Sequence, residues 1–481
     1  MRTPTPLLSK TPFAIDPVPL RGASSSRAGL AAVSRVLRSL SLPGQAQSNL
    51  PIKKRDNGFS SGQYLECFTL LHAAGGDCME DMQLLREDEG LTKILGYQAP
   101  SPRAVGDFLD LFHDANRVTQ ARQHAQQQQQ LAILPSESTL LEGLGRVLSG
   151  SVQAVERNQP KSRRWNQATV DQDATIVESH KQTATVAYEG TTGYQPMVAV
   201  WAEADLILAD QFRDGNVPAI MQPLSCARAA FAALPASVRQ YYFRGDSACH
   251  ENDLLEWLGN PLREGGPKGF IGFAVSARQS EALAAALRAV QDQQWKTFGK
   301  EADGTLRQWA EVAFVPGQKN EKKDTRPLRY VGLRLLKPQG SLFGDGTDRH
   351  FHAVLTNLEW KATRLLKWHR EKAGTVEHVH EELKNGLGGG RMPSQKFGAN
   401  AAWFRMSCIA YNILSALRQA WPEEELQQAK LKRLRFKIFN VSGRVVRDRR
   451  KIRLRLAASE KWIGHLQRLF DLFPLVDRPT G

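Results

Sequence analysis

Acidic residues stand at three separated places in the sequence, each beside a pattern that predicts a strand end or one face of a helix. Within residues 170–175, strand alternation puts Asp171 and Asp173 on the same face. Two acids on one face of an internal strand repel each other, and burying them without partners costs several kcal/mol. A bound cation would relieve that repulsion, whereas on an exposed edge strand both acids would simply contact water.

A second and a third acid follow later in the chain. Asp246 comes just after the predicted strand 238–244, at the carboxyl end where α/β sheets bind ligands. A turn residue that caps the next helix would give the same pattern. Glu377 lies on a predicted helix and shares one face with Glu381 and Lys384. That face presents either a metal-binding carboxylate with a cation for a phosphate, or an ordinary salt bridge within the helix.

The predicted helices and strands that carry these acids indicate an α/β fold with a mixed sheet. Helical periodicity dominates before about residue 160, and short runs rich in β-branched residues begin near residue 169. The strands first form hairpins and then alternate with helices. The predicted segments are a flexible N-terminal segment (1–55), a helical domain that is a candidate for DNA binding (56–150), the first part of a catalytic core (160–290), a β-rich insertion (291–356), the second part of the core (357–425) and a basic C-terminal region (426–481).

The charge balance favours a polyanionic partner. The 481 residues include 64 Lys and Arg against 49 Asp and Glu, a net charge of +15, and nucleic acid is the commonest polyanion in a cell. A basic enzyme without such a partner is the alternative. In the C-terminal region, Arg453 and Arg455 alternate with apolar residues, which predicts a strand with one basic face that contacts DNA phosphates. An exposed edge strand protected by charge would show the same alternation.

Several classes of site and location are excluded or disfavoured. The five cysteines form no C-x-x-C pair, which argues against a disulfide framework or a cysteine zinc site and favours a reducing compartment. His378 and His380 lack the spacing of a helical zinc motif and are expected to be exposed or to contact phosphate. With neither a signal peptide nor a membrane span in the pattern, a soluble, cytoplasmic protein is expected.

The chain resembles the DDE transposases of bacterial insertion sequences, in particular insertion-sequence family 1380. The motifs that carry this resemblance follow one another in the expected order over about residues 60–456. They are Gly-Gly-Asp-Cys-Met-Glu-Asp at 75–81, Leu-Leu-Arg-Glu-Asp at 84–88, Asp-Gln-Asp-Ala-Thr at 171–175, Arg-Gly-Asp-Ser at 244–247, the run 370–385, and Phe-Gly-Ala-Asn-Ala-Ala-Trp at 397–403.

The resemblance implies a ribonuclease-H-like core interrupted by a β-rich insertion. It also implies that Asp173, Asp246 and Glu377 are the catalytic residues and the metal ligands. The first aspartate of the family stands in an Asp-x-Thr pattern, which matches Asp173; Asp171 is the alternative.

The helix signature of the family is matched only in part. Its lysine, seven positions after the glutamate, corresponds to Lys384. Its tyrosine and arginine, seven and four positions before the glutamate, correspond to Arg370 and Ala373. Arg370 or Lys372 is therefore expected to provide the missing phosphate contact.

The chemistry implied is cleavage at the ends of a mobile element followed by strand transfer into target DNA. Two Mg²⁺ ions, with Mn²⁺ as a substitute, serve an in-line phosphoryl transfer and prefer carboxylate oxygens. The expected partners are terminal inverted repeats, target DNA and a second copy of the chain in a synaptic complex. The helices around residues 79–117 are expected to read the repeats, and the protein is expected in the bacterial cytoplasm, at the nucleoid when bound to DNA.

Two other functions remain open at this point. A Mg²⁺-dependent nuclease on the same fold would use the same residues but would not join strands. A non-enzymatic DNA-binding protein derived from a transposase would keep the basic surface without the chemistry.

Overall fold

The computed structural model describes most of the chain, and the predicted segments at 1–55, 291–356 and 426–481 fall partly outside it. The described residues are 18, 22–52, 58–130, 132–315, 328–338, 347–448 and 451–475.

The N-terminal region is helical. Helix α3 begins with a capping box between Ser60 and Gln63 and ends at Gly75, whose φ of 93° suits a residue without a side chain. Residues 30–49 form two helices whose apolar side chains are buried, so the predicted flexible segment does not describe this part. The helices of the region are α1 (Leu30–Ser39), α2 (Leu42–Asn49), α3 (Ser61–Ala74), α4 (Met82–Arg86), α5 (Glu89–Leu95), α6 (Pro102–Asp110), α7 (Ala115–Gln127) and α8 (Thr139–Asn158).

Within the described ranges, the strands form one large mixed sheet and two small sheets. They are β1 (Ser24–Ser25), β2 (Gln167–Ala174), β3 (Val177–Glu178), β4 (Thr185–Val186), β5 (Thr192–Tyr194), β6 (Met197–Trp201), β7 (Leu206–Gln211), β8 (Gln240–Gly245), β9 (Ile271–Ser276), β10 (Lys296–Lys300), β11 (Leu306–Val312), β12 (Arg329–Pro338), β13 (Thr347–Thr356), β14 (Gly443–Asp448) and β15 (Lys451–Leu456).

The core of the large sheet has the ribonuclease-H-like arrangement, which confirms the predicted fold class. Strand β2 lies at the centre, antiparallel to β6 and parallel to β8. Strand β7 pairs antiparallel with β6, and β9 pairs parallel with β8. Because β2 and β8 are parallel and adjacent, their carboxyl ends meet at one edge of the sheet.

The β-rich insertion continues the same sheet rather than standing apart from it. Its strands follow one another in the order β10, β11, β12 and β13, and β13 then pairs antiparallel with β9. The insertion therefore lies directly beside the end of the core where β8 and β9 terminate.

The remaining helices cover the sheet and join the two ends of the chain. Helix α13 is buried along nearly its whole length, and the hairpin β14–β15 pairs with β1 near the N-terminus. None of the helices in the described ranges has the length and hydropathy needed to cross a bilayer. These helices are α9 (Pro223–Ala233), α10 (Asn252–Gly259), α11 (Glu281–Ala289), α12 (Ala362–Glu381), α13 (Phe397–Ala420), α14 (Glu424–Gln427), α15 (Leu431–Leu434) and α16 (Glu460–Leu472).

Candidate active site

Asp173 and Asp246 lie close together because of the parallel pairing of β2 with β8. The register places Gln172 of β2 opposite Gly245 of β8. The next residue along the chain is an aspartate in both cases, Asp173 and Asp246. Asp246 is largely shielded from solvent, and its pKa is raised first by burial and then by the negative charge of Asp173. The pair is therefore a concentrated negative charge at the carboxyl edge of the sheet, where a cation would be stabilised.

The cation that faces the pair in the structure is Lys372 of α12. Its Nζ lies 3.1 Å from Asp173 Oδ2, and the lysine side chain is only 11% exposed. Burial lowers the pKa of Lys372, but Asp173 and Asp246 outweigh that effect, so the pKa is raised and the lysine stays charged at neutral pH. The predicted phosphate-contacting residue thus lies in the carboxylate site itself.

Asp171 has a different environment from Asp173, although both lie on the face of β2 covered by α12. Its two carboxylate oxygens accept hydrogen bonds from Arg244 Nε and Nη2 at 2.6 and 2.8 Å, and the Thr375 hydroxyl donates to one of them. Asp171 and Arg244 are 0% and 2% exposed. Burial raises the pKa of Asp171 against the opposing effect of Arg244. These contacts tie β2, β8 and α12 together.

We expect Asp171→Asn to lower the free energy of unfolding by roughly 3–5 kcal/mol, because the buried Arg244 would lose its buried partner and keep only the exposed Glu371 at 3.2 Å. The affinity of the folded variant for Mn²⁺ should stay close to that of the wild type. Urea unfolding and Mn²⁺ titration measure the two effects. Asp173→Asn is the matched control and should show the reverse pattern; a large loss of Mn²⁺ affinity in folded Asp171→Asn would contradict this assignment.

Glu377 lies on α12 but does not meet the two aspartates closely. Its side chain is exposed. Glu377 lies five positions after Lys372, so the two side chains project from α12 in directions about 140° apart. The oxygens of Asp173, Asp246 and Glu377 do not all lie within 4.8 Å of one another. The structure thus brings two of the three predicted acids together and leaves the third on the helix that covers them.

The other predicted phosphate contacts are distributed around this helix. Lys384 lies in the π-helical turn Glu382–Gly386 that extends α12, and its Nζ donates to Thr175 Oγ1 at 2.9 Å. Thr175 is two residues past Asp173, so Lys384 lies at the same end of β2. Arg370 is exposed and forms an ion pair with Glu301 of the insertion, at 3.6 Å.

Two histidines of α12, one buried and one partly exposed, lie near the aspartates. His380 was expected to be exposed or to contact phosphate, but it is only 6% exposed. Burial lowers its pKa to about 4, and Asp173 acts on it in the opposite direction. His369 donates to the carbonyl oxygen of Gly245 at 3.1 Å, and burial lowers its pKa to about 4. Both imidazoles are therefore neutral at pH 7, since the surrounding packing excludes the water that would stabilise their charge.

A cavity of about 550 Å³ opens beside Asp246, between the core and the insertion. Its lining includes His369 from α12 and His352 from β13. Near the same edge, Tyr188 is 78% exposed; its pKa is raised mainly by a hydrogen bond to Glu189 and further by Asp246 and Asp173. The sequence analysis did not single out His369 or Tyr188. A histidine on a helix and an exposed tyrosine in a turn are too common to indicate a site by themselves.

A second acidic group lies elsewhere, in the segment that precedes α4. Ligand atoms of Asp77, Cys78 and Asp81 lie within 4.8 Å of one another. Arg391 Nε already lies 2.9 Å from Asp77 Oδ2, and the backbone amide of Asp77 donates to Asp81 Oδ2 at 3.0 Å. These contacts explain why the acidic side chains lie close together: the segment forms a local turn, and Arg391 balances the charge of Asp77.

The C-terminal hairpin presents the predicted basic residues in a strand. Arg453 and Arg455 are exposed on β15, and Arg455 lies opposite Arg444 of β14, so the two share one face. Like charges directly opposite one another are unfavourable unless an anion lies nearby.

Comparison with known proteins gives one family match. The family model described as "Transposase DDE domain group 1" matches residues 21–474. Among solved structures, the chain is similar to a piggyBac transposase synaptic complex with hairpin DNA, at 8% sequence identity and a TM-score of 0.38, over 85% of this chain and 80% of that one. No curated protein sequence matches the chain.

Proposed function

Because the chain belongs to the family of DDE transposases, we propose that Asp173, Asp246 and Glu377 carry out its cleavage of element ends and its joining of those ends to target DNA. A DDE transposase is an enzyme of DNA cleavage and strand transfer. The particular insertion-sequence family, 1380, stays a prediction.

The assignment of these residues rests on one observation. Asp173 and Asp246 lie close together at the ends of adjacent parallel strands, beside an open cavity. Two carboxylates at this place are unfavourable without a cation, and the structure supplies one in Lys372. The pair offers hard oxygen ligands, which Mg²⁺ and Mn²⁺ prefer over the neighbouring imidazoles. The residues therefore fit a divalent metal site.

In the proposed site, Asp173, Asp246 and Glu377 would hold two Mg²⁺ ions, with Asp173 serving both and Mn²⁺ as a substitute. Bound there, the ions would activate the attacking oxygen and stabilise the leaving oxygen of an in-line displacement. Glu377 lies along α12 between Lys372 and His380, and both of these interact electrostatically with Asp173. Lys384, seven residues or about two turns after Glu377, contacts the end of β2.

The surrounding residues position the DNA. Lys384, at the end of β2, and Arg370, exposed on α12, would contact phosphates next to the scissile bond. Arg453 and Arg455 would contact phosphates along a longer stretch of duplex, and helices between residues 79 and 117 would read the terminal inverted repeats. We further propose that two copies of the chain act together on paired element ends.

Replacing both Arg453 and Arg455 by glutamine should reduce the salt dependence of DNA binding. Each lost phosphate contact lowers the slope of log K against log salt by about 0.9, so the double variant should lose about 1.8. Fluorescence anisotropy with labelled duplex over a range of NaCl concentrations measures the slope. Arg288→Gln, an exposed arginine of α11, is the control; an unchanged slope in the double variant would place the DNA on another surface.

The decisive experiment for the function incubates the purified protein with labelled element ends, target DNA and Mg²⁺. A transposase yields both nicked ends and joined products, whereas a nuclease on the same fold yields nicks alone. A non-enzymatic DNA-binding protein gives neither product and binds DNA equally well in EDTA.

A further inference from the structure

Lys372 is held against the two aspartates rather than directed into solvent. Its ammonium lies 3.1 Å from Asp173 Oδ2, and the carboxylate of Asp246 acts on the same charge. Lysines that serve only to contact DNA phosphates lie on exposed faces. Lys367 of the same helix, by contrast, is exposed.

The backbone of α12 is anchored on both sides of Lys372. One turn earlier, Arg244 donates to the carbonyl oxygen of Trp368, and His369 donates to that of Gly245 at 3.1 Å. Three residues later, Thr375 donates to Asp171. These contacts hold the helix against β2 and β8, so Lys372 can leave the aspartates only by rotation of its own flexible side chain.

A divalent ion held by Asp173 and Asp246 would bind the Asp173 carboxylate that Lys372 now contacts and would lie in the field of the Asp246 charge that also acts on Lys372. Mg²⁺ binds carboxylate oxygens at about 2.0–2.1 Å, which is closer than the ammonium lies. Two cations on one pair of carboxylates repel each other strongly where the protein excludes water. Occupancy of the site by one cation therefore weakens its occupancy by the other.

We infer that Lys372 is an internal counter-ion that competes with the divalent metal for Asp173 and Asp246 and thereby sets the metal affinity of the site; this inference rests on the proposed function. When the metal binds, the displaced ammonium needs a new anionic partner, and the phosphate of bound DNA provides one. Metal and DNA therefore strengthen each other's binding, since each favours the same position of Lys372.

The test is a titration of the full-length protein with Mn²⁺ in the absence of DNA, in which the paramagnetic resonance signal of free Mn²⁺ reports binding. Lys372→Met keeps the length and packing of the side chain but removes its charge. It should bind Mn²⁺ about tenfold more tightly than the wild type, since each factor of ten corresponds to about 1.4 kcal/mol of removed repulsion. Lys367→Met, on the exposed side of the same helix, should bind Mn²⁺ like the wild type.

Unchanged or weaker Mn²⁺ binding by Lys372→Met would overturn the counter-ion role. Lys372→Gln is a second neutral variant that tests the same point if the methionine variant folds poorly. In EDTA both variants should unfold at a lower temperature than the wild type, because the aspartates lose their cation, and added Mn²⁺ should raise their unfolding temperature more than that of the wild type.

Asp173→Asn separates this inference from the proposed function. Weaker Mn²⁺ binding by Asp173→Asn with no effect of Lys372→Met would overturn the counter-ion role alone. Unchanged Mn²⁺ binding by Asp173→Asn would place the metal elsewhere and overturn both.

Discussion

Asp246→Asn is expected to reduce Mg²⁺-dependent cleavage of element ends by at least about 10²-fold, the loss typical of removing one electrostatic contact to a transition state. Asparagine has nearly the same shape as aspartate but lacks the charge that would hold a metal. The local turn should survive, because Asp246 Oδ1 accepts a hydrogen bond from the Ala248 amide at 3.0 Å and an asparagine oxygen can accept the same bond. The expected defect is therefore in chemistry and not in folding.

Initial rates of end cleavage under single-turnover conditions measure this loss, with DNA affinity followed separately by anisotropy. Asp253→Asn is the matched control, because Asp253 is an exposed acid seven residues further on. Glu377→Gln extends the test to the third acid, with the exposed Glu381→Gln on the same helix as its control. Cleavage at the wild-type rate by Asp246→Asn or Glu377→Gln would remove that residue from the site.

Arg405→Met is expected to lower the free energy of unfolding by roughly 3–5 kcal/mol, the cost of removing one partner from a buried ion pair. Arg405 Nε donates to Asp210 Oδ1 at 2.6 Å, and its Nη atoms donate to Glu137 at 2.6 and 2.9 Å. Burial raises the pKa of Asp210, and Arg405 counters that shift. Without the arginine, Asp210 on β7 would keep a buried charge that nothing balances.

Guanidinium-induced unfolding measures the loss. Arg391→Met is the control, because Arg391 is 74% exposed in its ion pair with Asp77 and exposed pairs contribute about 0–1 kcal/mol. Adding Asp210→Asn to Arg405→Met should recover part of the lost stability, since the second change removes the unbalanced charge. A loss below about 1 kcal/mol in Arg405→Met would show that the ion pair adds little to holding α13 against the sheet.

The family and the fold class could be predicted from the sequence, for local reasons. Period-two runs of β-branched residues give the strands, and the order of hairpins before alternating helices gives a mixed sheet. Asp246 could be placed at a strand end because the run 238–244 before it, with its three consecutive aromatic residues, predicts a strand. Within residues 30–49 the sequence indicated at most one short helix where the structure has two, because Pro, Ser and Gly nearby indicate a loop while the buried stripe only becomes stable against the rest of the core.

The partners of the charged residues could not be predicted. Strand alternation leaves Asp171 and Asp173 equivalent, and only the Asp-x-Thr pattern of the family favours Asp173. In the structure Asp171 pairs with Arg244, and Asp173 faces Lys372. That difference depends on the register of β2 against β8 and on the rotation of α12 above them. Both are set by packing between segments more than 70 residues apart along the chain, which local spacing does not encode.

The sequence by itself determined which acids and bases the chain carries and the elements that bear them, because residue type and short-range periodicity are local properties. It indicated the family through the ordered motifs by which the chain resembles DDE transposases. Only the tertiary structure decided that Asp171 is buried in an ion pair, that Lys372 lies against Asp173 and that His380 is shielded from solvent. The physical reason is that charge is governed by burial and by neighbours within a few ångströms, and those neighbours come from distant parts of the chain.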